Sequence, residues 1–145
     1  MQVIVRYGQI VTSQQGECAM FEQMVKVLCI GESHEAQTNL SNVGCRVVFS
    51  PSGEVAEKLI ELTETTAFGE FKLVVVYDWI ASRQVGIRDI QHLRNTNWKD
   101  GPILFMTPER ETLFNFDFNK ARVEFIRTPV VSKVLAETIA RIARE

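Results

Sequence analysis

The chain has too few cysteines, in the wrong pattern, for a disulfide framework or a zinc site. Its 145 residues include three cysteines, an odd number, and none of them has Cys-x-x-Cys spacing. We therefore expect Cys18, Cys29 and Cys45 to be free thiols in the reducing cytoplasm. Cys29, inside an apolar run, is expected to be a small core residue and not a redox centre.

Long apolar runs and an excess of charge of one sign are also missing. No apolar stretch approaches the roughly 20 residues that span a bilayer, and the N-terminus lacks the basic region and apolar core of a signal peptide. The formal net charge of −2 gives no electrostatic reason to expect nucleic acid or an anionic membrane as a direct partner. The length predicts one globular domain with a substantial core.

A glycine-rich phosphate loop is absent as well. Neither Gly-x-Gly-x-x-Gly nor Gly-x-x-x-x-Gly-Lys follows the first apolar run, where the chain reads Glu32–Ser33–His34–Glu35. A flavodoxin-like enzyme, or a binder of nucleotide or flavin, is therefore the weakest of the functional alternatives. We do not expect this chain to be an enzyme.

What the sequence does contain is a regular alternation of short apolar runs and helix-like segments from Lys26 onward. Nearly continuous apolar runs are typical of parallel strands covered on both faces. The predicted strands are Val27–Ile30, Cys45–Phe49, Leu73–Tyr77, Pro102–Met106 and Val123–Ile126. The predicted helices lie in Glu32–Val43, Glu54–Leu62, Val85–Leu93, Glu109–Ala121 and Val131–Ala143.

This alternation predicts a three-layer α/β sandwich of the flavodoxin-like (βα)5 type. Strands that are each followed by a helix pair in parallel through right-handed crossovers, and we predict a five-stranded sheet of order 2-1-3-4-5. Periodicity predicts three inward helix faces. Their members are Val55, Leu59 and Leu62 on the second helix, Ile87, Ile90 and Leu93 on the third, and Val134, Leu135, Thr138, Ile139 and Ile142 on the last.

The predicted domain covers residues 25–145, and residues 1–24 form an N-terminal extension. Within the extension, Gln2–Tyr7 alternates enough to be an extra strand. The alternatives are a loosely held leader, an edge strand or an oligomer contact.

Asp78 lies where α/β proteins place their chemistry. It follows the buried run Leu73–Tyr77, and ligands of parallel sheets bind at the carboxyl ends of the strands. Its alternative role is to cap the turn or helix that follows. Thr107 also has two roles open to it, because Thr107–Pro108 fits an N-cap and first helical position as well as a binding pocket.

Residues 26–145 resemble the receiver domain of two-component response regulators. The residues that carry the resemblance match the family in order and spacing. They are Ser52–Ala56, Asp78–Trp79, Gly86, Leu93–Arg94, Met106–Thr107, Phe125 and Thr128–Pro129. The resemblance implies that Asp78 is the phospho-acceptor, Thr107 the pocket hydroxyl and Phe125 the aromatic switch residue, with a cis peptide at Thr128–Pro129.

The chain departs from the family where the family's chemistry is concentrated. The family ends its first strand with two acidic Mg²⁺ ligands and carries a lysine before the proline, whereas this chain has Gly31–Glu32 and Thr128. Glu32 and Asp78 would hold Mg²⁺ only weakly, because Mg²⁺ requires near-octahedral oxygen ligation. Arg127 is expected to face away from Asp78, because neighbouring strand residues point to opposite sides of the sheet. Without a metal ligand and the lysine, phosphoryl transfer loses charge stabilisation.

Two functions follow from these departures. The first is a degenerate receiver, or pseudo-receiver, that needs no cofactor and acts as a protein-interaction module in bacterial cytoplasmic signalling. The second is a receiver that a histidine kinase still phosphorylates on Asp78, with Mg²⁺. In both, the expected partners are signalling proteins, namely a histidine kinase, an output domain or a second copy of the chain.

The resemblance implies that partners dock on the fourth helix, fifth strand and fifth helix. That surface would include Phe114, Phe116, Phe118, Lys133, Glu137 and Arg141. The three phenylalanines, at i, i+2 and i+4, cannot share one side of a regular helix. Either one of them is exposed as an interface anchor, or the helix is irregular and buries all three.

Overall fold

A five-stranded parallel sheet organises the molecule. The computed structural model describes residues 25–31, 33–64, 70–78 and 84–144. The strands are β1 Val25–Ile30, β2 Cys45–Ser50, β3 Leu73–Tyr77, β4 Ile103–Thr107 and β5 Val123–Arg127. They pair in parallel in the order β2-β1-β3-β4-β5, so the predicted strands and their order are confirmed. The extension, residues 1–24, lies outside the described residues.

Helices cover both faces of the sheet. The α-helices of the described ranges are α1 His34–Asn42, α2 Gly53–Glu64, α3 Val85–Arg94 and α4 Ser132–Arg144. Side chains of α2 and α3 pack with Leu28 and Val74 on one face, while α1 and α4 pack with Val27 and Val75 on the other. Successive strand residues point to opposite faces of the sheet. Because helices cover both faces, both sides of a central strand are apolar, and the apolar runs are continuous.

The predicted helix over Glu109–Ala121 is wrong. The structure has a short 3-10 turn at Glu111–Leu113, followed by irregular backbone up to β5. Phe114, Phe116 and Phe118 cannot share one side of a regular helix. The irregular backbone packs Phe114 and Phe118 against Phe105 and also packs Phe116 against Phe118. The described residues therefore form four α-helices, where five were predicted.

The predicted inner face of α2 is also wrong. Ala56 and Ile60 face the core and Leu59 is half-buried, whereas Val55 and Leu62 are exposed. Two sets of residues on this helix have helical spacing, one through Val55 and one through Ala56. Packing against α3 and the sheet buries the set with Ala56. The predicted face of α3 is confirmed in full. On α4, Leu135, Ile139 and Ile142 are buried and Val134 is exposed, so Val134 is a further correction.

The described cysteines are core residues, as predicted for Cys29. Cys29 and Cys45 are buried and not in a disulfide, and burial raises the pKa of each thiol to about 12. Both thiols therefore stay protonated and unreactive at neutral pH. Cys18 lies outside the described residues. Among the helices that the structure describes, none is long and apolar enough to cross a membrane.

The corrected face of α2 predicts unequal effects of two truncations on the same helix. Ile60 is 3% exposed and Leu62 is 59% exposed. Ile60→Ala should lower the free energy of unfolding by about 2–5 kcal/mol, because it leaves a cavity in the core. Leu62→Ala should change it by no more than about 0.5 kcal/mol. Urea unfolding of the two variants measures both, and equal losses would contradict this assignment of faces.

Candidate functional site

Asp78 caps a helix. It follows β3 and is only 5% exposed. Its backbone N–H donates to the Met106 carbonyl at 3.1 Å, which holds it against the end of β4. Its carboxylate Oδ2 accepts a hydrogen bond from the Gly86 N–H at 2.8 Å. An acidic side chain on a first-turn N–H satisfies a donor that the helix cannot, so the capping role left open by the sequence is confirmed.

Gly86 brings the start of α3 unusually close to the sheet. A Cβ at this position would lie 2.8 Å from Cε1 of Phe105 and 2.9 Å from Cβ of Asp78. Only a glycine lets the backbone approach at this distance. The resemblance placed Gly86 by its spacing from Asp78, and the packing supplies the physical reason for that spacing.

Gly31 leaves no room for a side chain at the end of β1. Its φ is +117°, and a Cβ there would lie 2.6 Å from the Tyr77 carbonyl oxygen. The Gly31 N–H donates to the Ser50 carbonyl at 3.2 Å, which ties this tight corner to β2. An acidic side chain could not replace Gly31 without moving the neighbouring strand ends.

The predicted metal pair cannot be brought together from the described residues. Glu32 lies outside them, so of the two predicted ligands only Asp78 is placed. Within the part of the chain that the structure describes, no group of three His, Cys, Asp or Glu side chains could hold a metal ion.

The predicted pocket residues at the ends of β4 and β5 do meet. Thr107 and Thr128 are both buried, and the Thr128 N–H donates to the Thr107 carbonyl at 2.8 Å. The Thr107 hydroxyl accepts from the Glu109 N–H at 3.1 Å, so it caps a turn, although no α-helix follows. The Thr128–Pro129 peptide is cis, as the resemblance implied. Arg127 is exposed and donates from Nε to the Pro108 carbonyl.

Tyr77 is a pocket residue that the sequence analysis placed only as the last residue of a strand. Burial raises the pKa of its hydroxyl, and hydrogen bonding with the side chains of Ser33 and Thr128 partly opposes that rise. Tyr77 therefore lies between the start of α1 and Thr128 at the end of β5. The sequence shows that Tyr77 precedes Asp78. It does not show the partners of Tyr77, because Ser33 and Thr128 follow two other strands, β1 and β5.

Asp89 and His92 of α3, also missed as a pair, fasten α2 to α3. Asp89 Oδ1 accepts from the Gly53 N–H at 2.9 Å, and His92 Nε2 lies 2.8 Å from Glu57 Oε1. Burial raises the pKa of Asp89, the Gly53 hydrogen bond lowers it, and the charges of Glu54 and Asp78 add to the rise. The sequence held one signal for this pair: Asp89 and His92 are three residues apart, and residues at that spacing lie on the same face of a helix.

Phe125, the predicted switch residue, belongs to an aromatic cluster. Its ring centroid lies 5.1 Å from that of Phe118, 5.9 Å from that of Phe105 and 6.3 Å from that of Phe114. The contacts with Phe118 and Phe114 are edge-to-face and the contact with Phe105 is stacked, and aromatic pairs of both kinds add to the stability gained from burial. Phe125 is therefore held on several sides by other rings.

Comparisons with known proteins agree with this geometry at the level of the fold. No protein-family model matches the chain, and no curated protein does. Solved structures do match it. The chemotaxis protein CheY4 of Vibrio cholerae is 18% identical, with a TM-score of 0.63 over 83% of this chain and 99% of that chain. A response regulator protein from Burkholderia multivorans is 26% identical, with a TM-score of 0.52 over 83% and 96% of the two chains.

The chain has the fold of a response-regulator receiver domain. A third match, the BeF3-activated DrrB receiver domain, is 15% identical, with a TM-score of 0.59 over 85% of this chain and 100% of that chain. The similarity spans nearly the full length of these receiver domains, so it covers both the Asp78 end and the opposite end of the sheet.

The predicted docking surface differs from expectation in its aromatic part. Phe114 and Phe118 are 3% and 2% exposed, and Phe116 is half-buried against Phe118. The idea of an exposed phenylalanine anchor is therefore wrong for Phe114 and Phe118. The apolar groups that the receiver fold does expose near this surface are Leu113, Val131 and Val134.

The three charged residues predicted for that surface share one helix. Lys133, Glu137 and Arg141 lie on α4 and are exposed. Arg141 Nη2 forms an ion pair with Glu124 Oε2 of β5 at 2.9 Å, which joins the helix to the edge strand. An exposed pair of this kind contributes little to stability.

The cap at Asp78 predicts a specific order of stabilities. Asp78→Ala should lower the free energy of unfolding by about 1–3 kcal/mol, because it leaves the Gly86 N–H buried without an acceptor. Asp78→Asn keeps an oxygen at the same place and should cost less. Urea unfolding ranks the two variants. An Asp78→Ala variant as stable as the parent chain would show that the cap contributes nothing.

Proposed function

We propose that the chain is an atypical receiver domain that works mainly by binding other signalling proteins, with an incomplete phosphorylation site. The receiver fold and the order of matching residues support a place in two-component-type signalling, in the cytoplasm of a bacterium. Residues 25–145 would form the receiver-like domain, preceded by the extension at residues 1–24. The domain would act through its surfaces and would need no cofactor.

The observation that carries this proposal is the engagement of Asp78. Its carboxylate is buried and bonded to the Gly86 N–H at 2.8 Å. Attack on a phosphodonor needs a carboxylate oxygen in line with the phosphorus and open to the donor. Turning this carboxylate outward would break the cap of α3 and expose a buried donor. The geometry therefore favours a structural role for Asp78 over a chemical one.

The two positions at which the chain departs from the family also supply no charge to offset a phosphoryl group. Gly31 has no side-chain oxygen, and its corner cannot accommodate one. Thr128, which replaces the family's lysine, is buried and neutral. Metal ions and fixed cations provide most of the stabilisation of charge in phosphoryl transfer. The described donor set does not fit Mg²⁺, because it supplies one carboxylate that already caps a helix.

The partner surface would be the one formed by β5 and α4. It presents Lys133, Glu137 and Arg141 beside the exposed apolar groups Val131 and Val134. A small apolar centre with a charged rim is the usual anatomy of a protein interface. The candidate partners are a histidine kinase, an output domain and a second copy of the chain.

A second candidate function is a receiver that still accepts phosphate on Asp78. Two observations favour it: Asp78 remains at the end of β3 beside the end of β4, and Thr107 and the cis Thr128–Pro129 peptide stand close to it. In this case Glu32 and Asp78 would share Mg²⁺, and Phe125 would respond to the phosphoryl group. The aromatic packing of Phe125 and the cap on Asp78 make this the weaker candidate.

Incubation with acetyl phosphate and Mg²⁺ separates the two candidates. We expect the intact mass of the full chain to remain unchanged, because Asp78 is buried and neither Gly31 nor Thr128 supplies a charge to the transferred group. The same incubation with beryllofluoride should leave the amide NMR spectrum around Thr107 unchanged. A receiver domain known to phosphorylate itself under these conditions serves as the positive control.

The opposite outcome is equally clear. A mass increase of one phosphoryl group that disappears in Asp78→Asn would establish the second candidate and refute an incomplete site. Asp89→Asn is the matched control, because it removes a neighbouring carboxylate without touching the predicted acceptor.

A further inference from the structure

A polar groove lies at the end of the sheet opposite Asp78. It runs between the last turns of α3, the turn that precedes β4 and the irregular segment that replaces the expected fourth helix, and its volume is about 410 Å³. It is lined chiefly by charged side chains, together with one aromatic ring: Arg94, Lys99, Asp100, Lys120, Arg122 and Phe116. A helix over Glu109–Ala121 would have given this side of α3 a different neighbour.

Arg94 fixes the walls of the groove. Its Nε donates to the Ala121 carbonyl at 3.1 Å, its Nη2 to the Arg122 carbonyl at 3.1 Å, and its Nη1 to the Trp98 and Gly101 carbonyls at 2.9 and 2.7 Å. One guanidinium thus joins α3, the turn before β4 and the end of the irregular segment. Since its donors all point to neutral carbonyls, the positive charge is held in place without a carboxylate on it.

The groove is electropositive in a chain whose formal net charge is −2. Four cations line it, Arg94, Lys99, Lys120 and Arg122, against one anion, Asp100, so four minus one leaves a formal charge of +3. Asp100 is already bound to Arg122 Nη1 at 2.9 Å. Burial lowers the pKa of Arg94 and the nearby charge of Arg122 lowers it further, as expected where like charges converge.

Nearby groups offset only part of this charge. Asp117, just outside the groove, accepts from the Lys120 N–H, and Glu124 is paired with Arg141. The carbonyl end of α3 contributes a partial negative charge. Lys99 and Lys120 are both exposed, and no carboxylate of the described residues forms an ion pair with either of them.

The groove also has an apolar floor. Ile90 is fully buried, and Phe116 and Ala121 are half-buried beneath the charged rim. Sites for small molecules have volumes of roughly 300–1,000 Å³ and combine apolar surface with a few polar groups. This groove therefore suits a molecule with an anionic group and a less polar body.

We propose that this groove binds a small organic phosphate. A phosphate dianion matches the excess charge better than a single carboxylate, and it has enough oxygens to accept from Lys99, Lys120 and the remaining donors of Arg122 together. The less polar part of the molecule would cover Phe116 and Ala121. This site is separate from Asp78 and does not depend on the function proposed above.

Amide NMR of the full chain tests the proposal with inorganic pyrophosphate as the probe. Pyrophosphate should give saturable shifts in the segments that line the groove and none around Thr107 and Thr128. Lys99→Glu with Lys120→Glu should weaken binding by about tenfold or more, because each change replaces a favourable charge by a repulsive one. Malonate, a dicarboxylate, should bind more weakly than pyrophosphate.

The control carries the same change of net charge on other exposed lysines, Lys58→Glu with Lys133→Glu. It should bind pyrophosphate as the parent chain does. The proposal fails if pyrophosphate gives no saturable shifts, if both double variants lose binding equally, or if malonate binds as tightly. All four lysines are exposed, and the dispersion of each variant's spectrum confirms that it is folded.

Discussion

The rest of the structure depends on the close approach of α3 to the ends of β3 and β4. The Gly86 N–H donates to the Asp78 carboxylate at 2.8 Å, and a Cβ on Gly86 would lie only 2.8 Å from Cε1 of the Phe105 ring. Phe105 is also the centre around which Phe114, Phe118 and Phe125 pack. The contact of Gly86 with Asp78 and Phe105 therefore positions α3 on the sheet. Through Phe105 it also positions the rings of the irregular segment that leads to β5.

This contact gives the carboxylate a structural task at the position where a receiver would use it for chemistry. A buried N–H that loses its acceptor costs about 1–3 kcal/mol, so a reaction at Asp78 would have to offset that loss as well as the repulsion between two anions. Gly31 and Thr128 offer no charge toward either cost. The Tyr77 carbonyl oxygen leaves no space for a Cβ at Gly31. A carboxylate at this position is therefore excluded by the backbone of the neighbouring strand as well as by the glycine itself.

Sequence reasoning succeeded where one local signal decides the structure. The strands were predicted because each is a short apolar run. Asp78 was placed by the strand-end rule, whereas Thr107 and Thr128 were grouped with it by the resemblance to receiver domains. Sequence reasoning failed where two arrangements fit the same pattern. On α2, the stripes through Val55 and through Ala56 both have helical spacing, and only packing on α3 distinguishes them. The hydrogen bonds of Asp89 and the neighbours of Gly31 join residues far apart in sequence, so no local pattern contains them.

The two ends of the sheet are connected by aromatic rings. Phe116, on the groove floor, lies 5.0 Å from Phe118, which lies 5.2 Å from Phe105, and Phe105 touches the Gly86 corner. Contiguity alone does not couple two sites, because coupling requires an element with two arrangements. Phe105, Phe114 and Phe118 are each almost fully buried, and dense packing of this kind favours one arrangement. Binding in the groove is therefore expected to leave the Asp78 cap intact, and the fold can carry the two ends as independent surfaces.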